Sequence, residues 1–338
     1  MSRSIALGLV GCGWAAGEIV RASADLPELT IVATYDADRG RAEALAQKAG
    51  ARVADDLDAL LADSAINTIY VGVPHYLLAP IVERALVAGK HVLAEKPLSL
   101  DVATARRLGA LGDARHLKLA VFFELRRAGT VETARRLVQA GEIGVPRFVR
   151  LRTLIDKRRD YYGPPGVPIW RGKLAESGGG VLLMNTIHQL DTLRYVTGCD
   201  YTAASGAIAT FTATAEIEDA VSATLTLSNG GIVSLAANAH SPGAEDEETI
   251  EIDGPLGRLN IPDPFGTAPL RLYNIAAKSW TDIPVERPDS HMLMLKSFAG
   301  AILDDAPVPA SAADAAASLG AVLAIYQAAR EGRTVPIG

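Results

Sequence analysis

Cysteine is almost absent from this 338-residue chain. Its two cysteines, Cys12 and Cys199, are too few for a disulfide framework or a thiolate metal site, so no metal is expected. They read as the reduced thiols of a cytoplasmic protein. Charge of one sign is missing too. The 33 Lys and Arg stand against 39 Asp and Glu, a formal net charge of −6. The richest basic stretch, 147–159, is better explained as one strand and its loop, which leaves no surface for nucleic acid. No run approaches about 18 uninterrupted apolar residues, so no membrane span is expected. The apolar stretch after Arg3 looks superficially like a signal peptide, but Gly8, Gly11 and Gly13 interrupt it. There is no solenoid-type repeat. What remains is a globular composition, 49% hydrophobic and 21% charged, over a length that suggests two domains.

The first third alternates. Ile5–Val10 is a short apolar run bounded by glycine, as in a buried parallel strand. Helix-compatible spacing over 14–24 follows, then a strand at 31–36 and an Ala-rich helix at 39–49 closed by Gly50. The pattern continues with helices near 55–62, 78–88 and 100–111 and strands at 67–73, 90–94 and 117–123. Strands and helices at this spacing imply right-handed βαβ units on a parallel sheet. Beyond residue 145 the texture changes. A strand at 147–155 leads into a Gly/Pro-rich loop over 160–180 and a helix over 183–196. Strand-like segments then succeed one another between 201 and 283, with a hairpin signal at Asn229-Gly230-Gly231, which argues for an antiparallel sheet. Helices near 290–304 and 312–331 end the chain. The predicted class is α/β: a doubly wound parallel domain over 1–122, then an α+β domain with a mainly antiparallel sheet over 123–338.

Gly11-Cys12-Gly13-Trp14-Ala15-Ala16 fits G-x-G-x-x-G/A between a strand and a helix. Gly11 permits the tight turn, Gly13 lets the backbone approach a pyrophosphate, and Ala16 allows close helix–strand packing. A pyrophosphate would lie over the helix N-terminus, where free N–H groups and the dipole favour an anion. An acid follows at the end of the next strand: Asp36, 23 residues past Gly13, against an expected spacing of about 20. This is the pattern of a Rossmann dinucleotide-binding unit. Asp36 can accept from the adenosine ribose hydroxyls and would repel a 2′-phosphate, which favours NAD; Arg39, otherwise a solvated first-turn residue, leaves NADP possible.

Two further segments carry chemistry-bearing residues. The strand ending Glu95-Lys96-Pro97 places Lys96 at the sheet's carboxyl edge, where open α/β sheets bind ligands. A lysine there is often plain surface charge, but the following proline fixes its backbone. Gly178-Gly179-Gly180 then precedes Asn185, His188 and Asp191, spaced three apart so that successive pairs share a helix face. A lone helical histidine is commonly structural, and polar neighbours raise its standing as an acid or base. Arg152, Lys157, Arg158, Tyr161, Tyr162, Trp170 and Arg171 are candidate substrate-side groups, although any single one reads equally as a loop or interface residue.

Taken in order, Gly11-Cys12-Gly13, Asp36, Val73-Pro74-His75, Glu95-Lys96-Pro97, Arg126, Gly141-Glu142-Ile143-Gly144, Trp170-Arg171, Gly178-Gly179-Gly180 and His188-Gln189-Leu190-Asp191 resemble the Gfo/Idh/MocA oxidoreductases. The resemblance implies an open-faced sheet in the second domain and homodimer or homotetramer contacts. It implies cofactor contacts from Gly11, Gly13, Trp14, Ala15, Asp36, Arg39, Val73, Pro74, His75, Glu95, Lys96 and Arg126. It makes Lys96 and His188 catalytic, and places Asn185, Tyr162, Trp170, Arg171 and Asp191 at the substrate. The family's usual Asp or Asn four residues before the histidine is Met184 here, with Asn185 one position later, and its common histidine four after Pro74 is Leu78. The implied activity is hydride transfer between NAD(P) and a hydroxyl or carbonyl of a sugar, cyclitol or related polyol. The same scaffold also serves glycosidase-type enzymes that oxidise transiently with NAD, and non-catalytic sugar or dinucleotide sensors.

Overall fold

The apolar run Ile5–Val10 forms β1, buried along nearly its whole length. It is the centre of a parallel sheet in a computed structural model that describes residues 4–157, 161–163, 169–211, 215–244, 247–264 and 267–338. The elements of this region follow in alternation: α1 (Trp14–Ser23), β2 (Leu29–Tyr35), α2 (Arg39–Ala49), β3 (Arg52–Val53), α3 (Leu57–Ala62), β4 (Thr68–Val71), α4 (His75–Val87), β5 (His91–Ala94), α5 (Val102–Ala114) and β6 (Leu119–Val121). The sheet order is β3-β2-β1-β4-β5-β6, every pairing parallel. This is the doubly wound order, which reverses direction between β1 and β4 and opens a ligand crevice at their carboxyl ends. All four β4 residues are buried; each large aliphatic so buried contributes about 1.5–3 kcal/mol. Local signals set the helix ends. Asp38 caps α2 by accepting from the Arg41 N–H at 3.2 Å, and Gly50 closes it in the left-handed region at φ 64°.

The second region holds α6 (Gly129–Gln139), β7 (Phe148–Leu154), α7 (Leu174–Ser177), α8 (Ile187–Thr197), β8 (Tyr201–Ala209), β9 (Ala220–Leu227), β10 (Ile232–Asn238), β11 (Glu247–Asp253), β12 (Gly257–Ile261), β13 (Leu270–Asn274) and β14 (Ser279–Ile283). After α9 (Ser290–Leu303) and α10 (Ala312–Glu331), the short β15 (Val335–Pro336) completes a sheet ordered β14-β13-β12-β11-β7-β10-β9-β8-β15. Within this sheet only β7 and β10 pair in parallel among the described strands; its other pairings are antiparallel. The strands alternate as half-buried strands do. In β10, Val233, Leu235 and Ala237 are buried while Ile232, Ser234 and Ala236 face outward. Asn229-Gly230-Gly231 turns the β9–β10 hairpin, with Gly230 at φ 85°.

Two expectations need correction. The chain divides into one compact unit of Met1–Glu124 with Asp289–Ala316, and another of Leu125–Pro288 with Ala317–Gly338. The boundary at 122/123 had assigned everything later to the second domain. Yet α9 packs on α1, buries Met294, Leu295 and Phe298, and is capped by Asp289, which also pairs with Arg21 of α1. Local periodicity shows that a helix forms but not which sheet receives it. Nor is 183–196 one regular helix: Leu182–Thr186 is a π-helical segment that runs into α8. α10 is long and apolar enough to cross a membrane by composition, but 61% of its apolar window is buried within the protein.

Candidate functional site

In the first unit the switch point is built from backbone. Gly11 sits at φ 87°, and a Cβ there would lie 2.3 Å from the Gly72 carbonyl oxygen, so the ends of β1 and β4 meet where only glycine fits. Gly13 is the N-cap of α1, has no side-chain cap, and would carry a Cβ into open space. The first-turn N–H groups of α1 therefore face outward with no side-chain acceptor, while Ala16 is fully buried against the sheet. This is a cradle that a phosphate fits. Ala15 follows Gly13 in the first turn of α1, and Trp14, 77% exposed, stands at its mouth.

Asp36 is held at the rim of the cradle. Its Oδ2 accepts the Cys12 N–H at 2.7 Å and its Oδ1 the Asp38 N–H at 2.8 Å. Each oxygen keeps a lone pair for a ribose hydroxyl. Burial and the neighbouring Asp36 push the Cys12 thiol up to about 12, so it stays protonated. Arg39 is exposed and pairs with Glu43 at 3.0 Å. At the adjoining strand ends, Val73 and Pro74 are half-buried and His75 opens α4 as a buried residue. The Tyr70 hydroxyl donates to Glu95 Oε1 at 2.9 Å. Burial raises the Glu95 carboxyl, while Lys96 and the Tyr70 hydroxyl act the other way. Lys96 itself is half-buried at the end of β5, before a cis Pro97.

In the second unit the triple glycine is a packing device. Gly178 ends α7 at φ 79°. A Cβ on Gly179 would lie 2.1 Å from the Tyr326 hydroxyl, and one on Gly180 would lie 1.7 Å from the Glu218 carbonyl oxygen. The turn that follows carries Asn185, whose Oδ1 is buried without a hydrogen bond, and leads to His188 at the start of α8. His188 is half-buried, and its Nδ1 is enclosed by the protein.

Arg126 and Asp191 meet in the structure. The sequence placed Arg126 at the cofactor and Asp191 at the substrate. The structure joins them in a buried two-pronged ion pair, Nε to Oδ2 and Nη2 to Oδ1, both 2.7 Å, with Ser318 Oγ 3.3 Å from Asp191 Oδ1. Their side chains are 6% and 1% exposed, and the Arg126 guanidinium also lies 5.0 Å over the Tyr195 ring. The two parallel N–H···O bonds fix the guanidinium and the carboxylate in one plane. Arg126 reaches Asp191 from 65 residues away, a partner that no local spacing announces.

The aromatic candidates do gather. The rings of Tyr161 and Tyr162 meet edge to face at 5.0 Å, and the Arg171 guanidinium lies over Trp170 at 4.7 Å and over Tyr161 at 5.3 Å. Tyr162 is 1% exposed, and its hydroxyl is buried without a partner. Lys157 Nζ lies 5.7 Å over Tyr161. Arg152 instead joins a charged ladder on the sheet, bonding Glu251 and Thr249. Arg158 lies outside the described residues. Sequence reasoning missed Tyr70, Glu218, Tyr326 and the His240–Asp219 contact at 3.7 Å, none of which forms a local pattern. No cluster of three or more potential metal ligands occurs among the described residues.

Comparison with known proteins agrees with this architecture. Residues 5–123 match the oxidoreductase family with an NAD-binding Rossmann fold, and residues 131–260 match the GFO/IDH/MocA C-terminal domain. A 1,5-anhydro-D-fructose reductase from Ensifer adhaerens is 29% identical over 98% of both chains. A D-apiose dehydrogenase from Paraburkholderia graminis is 27% identical over 97% of this chain and 88% of its own. The solved structure of a levoglucosan dehydrogenase with NADH and levoglucosan superposes with a TM-score of 0.91 at 21% identity, covering 99% of each chain. The cradle at the β1–β4 switch point and both domain matches lead to one conclusion: the chain belongs to the Gfo/Idh/MocA family of NAD-binding oxidoreductases.

Proposed function

We propose that this protein oxidises a secondary hydroxyl of a sugar, cyclitol or related polyol, or reduces the corresponding carbonyl. The observation that carries the proposal is the glycine cradle with Asp36 at its rim. Sugar-active relatives aligned over nearly the whole chain supply the substrate class. Bound NAD supplies the hydride acceptor. Gly11, Gly13, Trp14 and Ala15 seat its pyrophosphate, and Asp36 takes its ribose hydroxyls. Val73, Pro74, His75 and Glu95 line its path along the strand ends. Asp36 favours NAD, and freeing Arg39 from Glu43 gives NADP its route.

His188 takes the hydroxyl proton as general base. Lys96 stabilises the developing alkoxide by its charge. Asn185 presents an unsatisfied buried oxygen, an acceptor for a substrate hydroxyl. Trp170 and Arg171 form the aromatic and cationic wall against which a sugar ring packs, with the buried Tyr162 supporting it through Tyr161. The protein acts in the cytoplasm as a homodimer or homotetramer.

The test is a panel of sugars, cyclitols, anhydrosugars and sugar acids offered with NAD and NADP in parallel, read by formation of reduced cofactor. The proposal expects turnover with NAD on at least one polyol, lost in Lys96→Ala and His188→Ala. Cofactor binding without turnover on any polyol would overturn it.

A further inference from the structure

The π-helical segment Leu182–Thr186 is unusual, since π geometry is rare and occurs mostly as single turns at functional sites. Something must hold it against relaxing to α. Helix starts leave orphan N–H donors that a nearby side chain usually caps. Here the cap comes from far along the sequence. Glu218 Oε2 accepts the Gly180 N–H at 2.7 Å, and Oε1 accepts the Leu182 N–H at 2.9 Å. The Tyr326 hydroxyl, from α10, donates to the same Oε1 at 2.9 Å. The Glu218 main-chain carbonyl accepts the Val181 N–H at 3.2 Å. Glu218 and Tyr326 are both buried. The two glycines explain how the clamp gets this close, because any Cβ at 179 or 180 would strike Tyr326 or Glu218.

We propose that Glu218, locked by Tyr326, is a positioning residue: it fixes the π turn and thereby the orientation of Asn185 and His188. The inference rests on the assignment of His188 as proton acceptor. Three donors converge on two carboxylate oxygens, so the clamp needs a carboxylate and not merely a side chain of its size. An amide in its place puts an NH2 against an N–H, leaving a buried donor unpaired. Removing the Tyr326 hydroxyl strips one bond and leaves the other two. The turn then loosens by a small displacement, and a misplacement of about 1 Å at a reacting group costs on the order of 100-fold in rate.

The test compares Glu218→Gln, Tyr326→Phe and His188→Ala with the wild type by three readouts. These are the Cε1–H NMR signal of His188 (identified by its absence in His188→Ala), kcat on the polyol found in the panel, and NADH binding by fluorescence. Glu218→Gln is expected to displace the His188 signal, leave the other histidines in place, lower kcat about 100-fold and keep NADH affinity. Tyr326→Phe is expected to do the same to a smaller degree, and carries the test should Glu218→Gln fail to fold. A His188 signal and kcat unchanged alongside a lowered melting temperature would overturn the proposal, since Glu218 would then serve stability alone. Full turnover in His188→Ala would remove the base assignment but not the positioning, which the displaced NMR signal reports separately.

Discussion

The phosphate cradle and the His188 turn are both glycine-rich, yet their glycines do different work. In the cradle, Gly11 lets two backbone segments touch and Gly13 leaves room for something outside the chain. In the His188 turn, Gly179 and Gly180 make room for the protein's own Tyr326 and Glu218. One site is a surface of backbone. The other is a side-chain clamp on the turn that leads to His188. Identical residues in a similar spacing thus serve cofactor binding in one unit and internal packing in the other.

Substitutions can break this contrast in order of expected effect. His188→Ala and Lys96→Ala should lower kcat by about 10²–10⁴-fold while NADH still binds, as steady-state kinetics and fluorescence titration would show. Asp191→Ala removes the two-pronged carboxylate from the buried Arg126 guanidinium, and chemical denaturation should show a loss of about 3–5 kcal/mol. Replacing both partners with apolar residues should cost less than that single change.

Within the cradle, Gly11→Ala and Gly13→Ala should separate. A Cβ at Gly11 meets backbone 2.3 Å away in a left-handed conformation, so calorimetry should show a lower melting temperature together with weaker NADH binding. A Cβ at Gly13 meets nothing in the protein, so its melting temperature should hold and only NADH affinity should fall. Equal behaviour of the two would erase the distinction between packing and ligand glycines.

Smallest is Asp289→Ala, which removes the α9 cap and the partner of Arg21, and should cost about 1 kcal/mol. The Arg21 hydrogen bond holds the Asp289 carboxyl below its ordinary value of 3.8. A depressed carboxyl stabilises the fold above that ordinary value and loses its contribution as pH falls toward the folded-state value. Urea titrations should therefore show the gap between wild type and Asp289→Ala narrowing below pH 3.8.

The same contrast explains what could be read from the chain. Gly11, Gly13 and Asp36 were legible because a turn, a helix start and a strand end are local events with a fixed spacing. Parallel and antiparallel sheets were legible from how strands and helices alternate. The placement of α9 was not, because a local apolar pattern does not name the surface that receives it. The Arg126–Asp191 pair joins residues 65 apart and the Glu218–Tyr326 clamp residues 108 apart. Neither leaves a periodic trace. The π turn was invisible for a related reason, since its spacing is imposed by Glu218 and not by the five residues in it.

The central claim is hydride transfer between a substrate carbon and the nicotinamide. It is tested most directly by placing deuterium on the carbinol carbon of the polyol that the panel identifies. The purified protein is then incubated with that substrate and NAD, and the cofactor is examined by mass spectrometry. The account predicts one deuterium in the reduced cofactor, accumulating in step with ketone product, and none with His188→Ala. Label retained on the sugar or lost to water, with no reduced cofactor accumulating, would contradict it.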